Sequence, residues 1–93
     1  MTKVLIDFTG CKYYLEFFRR IIDAFDFPFS CAENWSAIWD CLDYYYEEDE
    51  EVLIQIMAVN KLPKAFRERM PIFINILEDL KENTPKLRYE ILS

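Results

Sequence analysis

Trp35 and Trp39 stand four positions apart, and Asp40 and Asp43 stand three apart beside them. Helical spacing sets Trp35, Ser36, Trp39, Asp40 and Asp43 together, away from the apolar stripe of the same segment. An exposed tryptophan lowers solubility and is enriched at binding hot spots. Asp40, Asp43 and Glu47 are like charges at spacings of three and four, which costs a helix a few tenths of a kcal/mol per pair. Asp43 and Glu47 also approach a helix end that is already partly negative. A segment chosen only for stability would not carry this face. Taken singly, each feature fits a buried aromatic or a solvated acidic surface; their convergence favours recognition.

Carboxylates in pairs also serve glycoside hydrolysis, with Asp40 and Asp43 as the candidate pair. That chemistry needs two carboxyl groups held apart across a cleft, whereas one helix face makes a ridge. The sequence has no histidine, hence no ordinary general base or imidazole metal ligand. Its single glycine, Gly10, leaves no glycine-rich phosphate loop and no nucleophile elbow. Cys11, Cys31 and Cys41 are an odd set without zinc spacing and read as reduced thiols. No catalytic residue, cofactor or metal is expected.

The elements that position these residues follow from periodicity. Lys3–Phe8 is a short β-branched run, read as a strand. From Lys12 to Phe25, Tyr14, Leu15, Phe18, Ile21, Ile22 and Phe25 recur at helical spacing, with charged residues opposite. Pro28 ends this segment, and Ser30 to Glu33 has the form of a capping box. The second helix runs from Glu33 or Asn34 to near Tyr45, with Ile38, Cys41, Leu42 and Tyr45 facing the core. Val52–Met57 is almost wholly apolar, the pattern of a strand covered on both faces. Asn60–Pro63 turns the chain and Pro63–Arg69 allows a short helix. Pro71 suits the first turn of a longer one, whose core face is Ile72, Phe73, Ile76, Leu77 and Leu80. Leu87–Leu92 closes the order as an edge strand.

Strands separated by helical crossovers pair in parallel. The expected fold is therefore α/β, a three-stranded parallel sheet with three to four packed helices, in a single domain over 1–93. The apolar fraction of 53% excludes disorder, and no apolar run approaches a membrane span. A net charge of −6 disfavours nucleic-acid and membrane-surface binding and suits a basic partner. Met1–Gly10 does not read as a signal peptide, so the expected location is the cytoplasm.

Phe27-Pro28 followed by Glu33-Asn34-Trp35-Ser36-Ala37-Ile38-Trp39-Asp40-Cys41-Leu42 resembles the signature of the barstar family, bacterial intracellular inhibitors of the secreted ribonuclease barnase. The likeness extends over nearly the whole chain, to Ile91-Leu92-Ser93, and its most specific part is Trp39-Asp40-Cys41-Leu42. It implies the same small parallel sheet with packed helices. It also implies an immunity or antitoxin role, in which the second helix and the last helix plug a cationic ribonuclease active site. Asp40 matches the family's central carboxylate, which stands in for a substrate phosphate. Trp39, Asn34 and Trp35 match interface positions, and Asp79 matches the acidic contact of the last helix, with Ile76 beside it and Glu78 taking the acidic role if the register shifts by one.

The departures from the family pattern are specific. Ser30 replaces an interface tyrosine, Ala32 a loop glycine and Ser36 an aspartate, while Asp43 adds a carboxylate one turn further on. The implied partner is a basic secreted ribonuclease or related toxin nuclease, bound without direct nucleic-acid or membrane contact by a protein expected to be a monomer when free. The other reading is a divergent barstar-like binding module whose partner is not a nuclease.

Overall fold

A computed structural model describes residues 2–26, 34–45 and 51–92, apart from the side chain of Tyr45. The elements are β1 (Thr2–Asp7), α1 (Tyr14–Phe25), α2 (Trp35–Tyr45), β2 (Val52–Met57), a 3-10 turn (Val59–Lys61), α3 (Lys64–Arg67), α4 (Met70–Asn83) and β3 (Leu87–Ile91). The sheet is parallel throughout, in the order β1-β2-β3. Thr2 to Asp7 pair in step with Val52 to Met57, and Val52 to Ile56 with Leu87 to Ile91. This is the α/β fold that the alternation of strand and helix patterns implies.

The strand order has a direct consequence for where the helices lie. Both crossovers step in the same direction, and right-handed crossovers stepping the same way put their helices on the same side. Val4, Ile6, Val52, Ile54, Ile56 and Leu87 are accordingly buried. On the other face Lys3, Leu5 and Asp7 are exposed, and Leu53, Gln55 and Met57 are half-buried. The expectation that β2 is covered on both faces is thus corrected. On its second face, among the described residues, β2 is flanked by neighbouring strands, where Gln55 donates a 2.7 Å hydrogen bond to Glu90.

The core stripes also differ from the expected ones at single positions. In α1, Phe17 is fully buried and stacks on Phe8 with ring centroids 5.1 Å apart, whereas Leu15 is 64% exposed and Tyr14 39%. Periodicity permits either stripe, and the aromatic ring that β1 delivers at Phe8 selects Phe17. In α4, Met70, Phe73, Leu77 and Leu80 recur at three and four with Ile76 beside them, all buried, which leaves Ile72 outside that stripe and 39% exposed. In α2, Ile38 and Leu42 are fully buried while Cys41 is half-buried at the edge of the stripe. Pro28, the capping box at Ser30 to Glu33 and Cys31 lie outside the described residues.

The turn between β1 and α1 is held by side chains. Asp7 Oδ1 accepts hydrogen bonds from the Thr9 hydroxyl at 2.6 Å and the Thr9 N–H at 2.9 Å. Gly10 follows at φ 75°, a backbone region open to glycine at little cost. Arg20 donates to the carbonyls of Asp7 and Thr9 at 2.8 and 3.0 Å, tying α1 to the end of β1. The Thr9 hydroxyl, foremost, holds the Asp7 carboxyl below its ordinary value, with Arg20 and Lys61 adding to the effect.

Two outcomes follow from this packing. Phe17→Ala should cost about 3–5 kcal/mol of stability, while Leu15→Ala should stay within about 0.5 kcal/mol, as read from denaturant midpoints. The depressed Asp7 contributes stability above the ordinary carboxylate range, and loses it as pH falls through its lowered value. Thr9→Val should therefore raise the Asp7 midpoint in an NMR titration and narrow the gap between neutral-pH and acid-pH stability.

Candidate partner-binding site

Asn34 starts the site by starting the helix. Its side-chain Oδ1 accepts the Ala37 N–H at 2.8 Å and its carbonyl accepts the Ile38 N–H at 3.1 Å, an N-cap that satisfies a free end of α2. With the start fixed and Ile38 and Leu42 locked into the core, every other side chain of α2 has a set direction. Ser36, Asp40 and Asp43 are exposed, and Trp39 is half-buried with its indole packed on the core.

Trp35 departs from the expected exposed position. It is half-buried, with its ring against Phe18 at 4.9 Å, Phe17 at 5.7 Å and Phe73 at 6.1 Å. The reason is in the spacing: Trp35, Ile38 and Leu42 are separated by three and four, so Trp35 continues the buried stripe by one turn. Its indole Nε1 is buried without a hydrogen-bond partner among the described residues. Trp35 thus joins α1, α2 and α4 through one aromatic cluster.

α2 packs against α4, and between them runs a shallow groove of about 350 Å³. Among the described residues it is lined by Trp35, Ser36, Trp39, Asp40, Ile72 and Ile76. Ile76, 8% exposed, forms its floor on α4, and Ile72 stands one turn before it. Five of the expected site residues are therefore brought together, and three stand around them. Asn34 is next to Trp35 at the cap, Asp43 lies one turn beyond Asp40, and Asp79 is exposed three positions after Ile76.

Asp79 and Glu78 point to different flanks of α4. Adjacent residues differ by about 100° around a helix, so Asp79 falls near Ile72 and Ile76 while Glu78 turns to the other flank. There Glu78 accepts the Tyr89 hydroxyl of β3 and lies 4.0 Å from Lys81. That hydrogen bond also raises the Tyr89 phenol above its ordinary value. Among the described residues no lysine or arginine pairs with Asp40, Asp43 or Asp79.

Two features of the site escaped the sequence reading. Ile72, assigned to the core, lines the groove instead. The charge is also more segregated than the net value shows, since residues 21–60 hold ten of the seventeen acidic residues and none of the eleven basic ones. α2 lies inside that stretch. Among the described residues no group of three potential ligands could hold a metal, and no helix is long and apolar enough to cross a membrane.

A parallel three-stranded sheet backed on one side by helices, with α2 and α4 presenting a joint outer face, defines a small α/β protein of the barstar-like class. The family model Barstar, barnase inhibitor, matches residues 1–91, and the chain belongs to that family. Nothing among the curated proteins matches it.

The cap is open to a direct test. Asn34→Ala should destabilise the protein by about 0.5–2 kcal/mol, with Asn34→Asp restoring most of the loss, measured by thermal and denaturant unfolding.

Proposed function

We propose that this protein inhibits a basic ribonuclease, or a related nuclease toxin, by inserting the outer face of α2 into the enzyme's cationic active site. The observation that carries this reading is Asp40, an exposed carboxylate at the groove rim that pairs with no cation among the described residues, set in a stretch devoid of lysine and arginine. A nuclease site holds several phosphates and so concentrates positive potential. A carboxylate fixed on a rigid helix can enter it in place of a phosphate, without the ordering cost that a flexible loop would bring.

Each site residue then has a stated role. Asp40 supplies the central charge, with Asp43 and Asp79 on either side reinforcing the field. Trp39 supplies contact area next to Asp40, and Ser36 a neutral hydrogen-bonding group. Asn34 and Trp35 hold the helix start in place, and Ile76 supports the groove floor. Family membership supports inhibition rather than catalysis, and the carboxylates of α2, side by side on one helix, do not face each other across a cleft. Complementary charge speeds encounter with a basic partner, and the desolvated pairs at the centre slow dissociation.

Ser36 favours a second reading of the partner alone. With a hydroxyl where the family pattern has a carboxylate, the contact set is changed in the first turn of α2, which suits a partner other than barnase, including one that is not a nuclease. The mode of binding is the same in both readings.

Affinity capture on the immobilised protein, followed by ribonuclease assay of what is retained, tests the function. A retained ribonuclease that is inhibited at one-to-one stoichiometry is expected; a retained partner without nuclease activity would favour the second reading. Asp40→Ala should weaken binding of the captured partner by about 2–5 kcal/mol with an unchanged melting temperature. Raising salt should slow association far more than it speeds dissociation.

A further inference from the structure

We infer that the groove between α2 and α4 takes an aromatic side chain projecting from the cationic surface of the partner, and that Ile72 sets how deeply it enters. The inference rests on the proposed binding role of α2 and adds to it the chemistry of one partner residue. Among the described residues, four of the six lining side chains are apolar: Trp35, Trp39, Ile72 and Ile76. Ile76 is nearly out of solvent, whereas Ile72, 39% exposed, stands at the rim as an apolar residue that folding leaves in water. Both indoles are half-buried, so each keeps part of its surface for a ligand.

The walls select among side chains. A ring gains from lying against aromatic edges as well as from the area it buries. The isolated head of a basic side chain would lose water over Ile72 and Ile76 and, among the described residues, would meet one lining carboxylate, Asp40, and one hydroxyl, Ser36. The charges belong to the rim rather than the floor. Asp40 lies on one side and Asp79, one turn beyond Ile76, at one end, neither paired with a cation among the described residues. An aromatic anchor flanked by cations on the partner would match an apolar floor flanked by carboxylates on one side and at one end, so that polar contacts border a central apolar one.

Small probes test this without any knowledge of the partner. Indole and ethylguanidinium would be titrated separately into the full-length protein labelled with nitrogen-15, with amide shifts followed by NMR. Indole is expected to give saturable shifts centred on Trp35, Trp39, Ile72 and Ile76 at millimolar concentration, and ethylguanidinium to bind there at least tenfold more weakly. Ile72→Lys, at a rim position, should keep the melting temperature and reduce indole binding at least fivefold; Ile72→Ala should keep the fold and also weaken it. Absence of saturable indole shifts, equal or tighter binding of ethylguanidinium, or indole binding unaltered in both variants would overturn the inference. A groove that binds indole in a protein that captures no nuclease would leave this inference standing while the proposed function failed.

Discussion

The seating of α2 on the core through Ile38 and Leu42 is the contact on which the outer face depends. Both side chains are fully out of solvent, and their spacing of four leaves no rotational freedom. A turn of the helix by one position would bring Asp43 or Cys41 into the place of Leu42, and burying an unpaired carboxylate is far more costly than losing one methyl contact. The positions of Trp39 and Asp40 are therefore set from beneath. If this face binds as proposed, it loses little conformational freedom on association, so more of its interaction energy appears as affinity.

The same core explains why this face has two helices. Steps in one direction across the sheet put α1, α2 and α4 on a common side, where they compete for one apolar surface. Trp35 resolves that competition by filling the junction, in contact with Phe17 and Phe18 from α1 and Phe73 from α4. Its bulk props α2 against α4 and leaves the shallow groove alongside. Part of the indole belongs to the core and part lines the groove. Substituting Trp35 would therefore report on both roles together, whereas Asp40 and Ile72 isolate the outer one.

Much of the fold was legible in the sequence because strand and helix periods differ and the breaks between them are marked. Val52–Met57 matches the observed strand at both ends, and Pro71 falls in the first turn of α4. Individual faces were less legible, for a physical reason. At 100° per residue several overlapping stripes satisfy the same spacing, and only the partner element chooses among them. Phe8 chose Phe17 over Leu15. The heptad-like run from Met70 left Ile72 outside. Trp35 was readable as part of the buried stripe with Ile38 and Leu42, but its aromatic neighbour at Trp39 suggested a different face. The acidic groups around the groove were legible from type and spacing, while the groove itself, made by residues from two helices distant in sequence, was not.

The central claim is that α2 occupies the phosphate-binding site of a ribonuclease. The most direct measurement is the affinity of this protein for the captured enzyme with and without a mononucleotide saturating that enzyme's phosphate site. If α2 takes the place of phosphate, apparent affinity will fall in proportion to nucleotide occupancy, and the protein will displace the nucleotide in return. Affinity unchanged by saturating nucleotide, with both ligands bound together, would contradict the account.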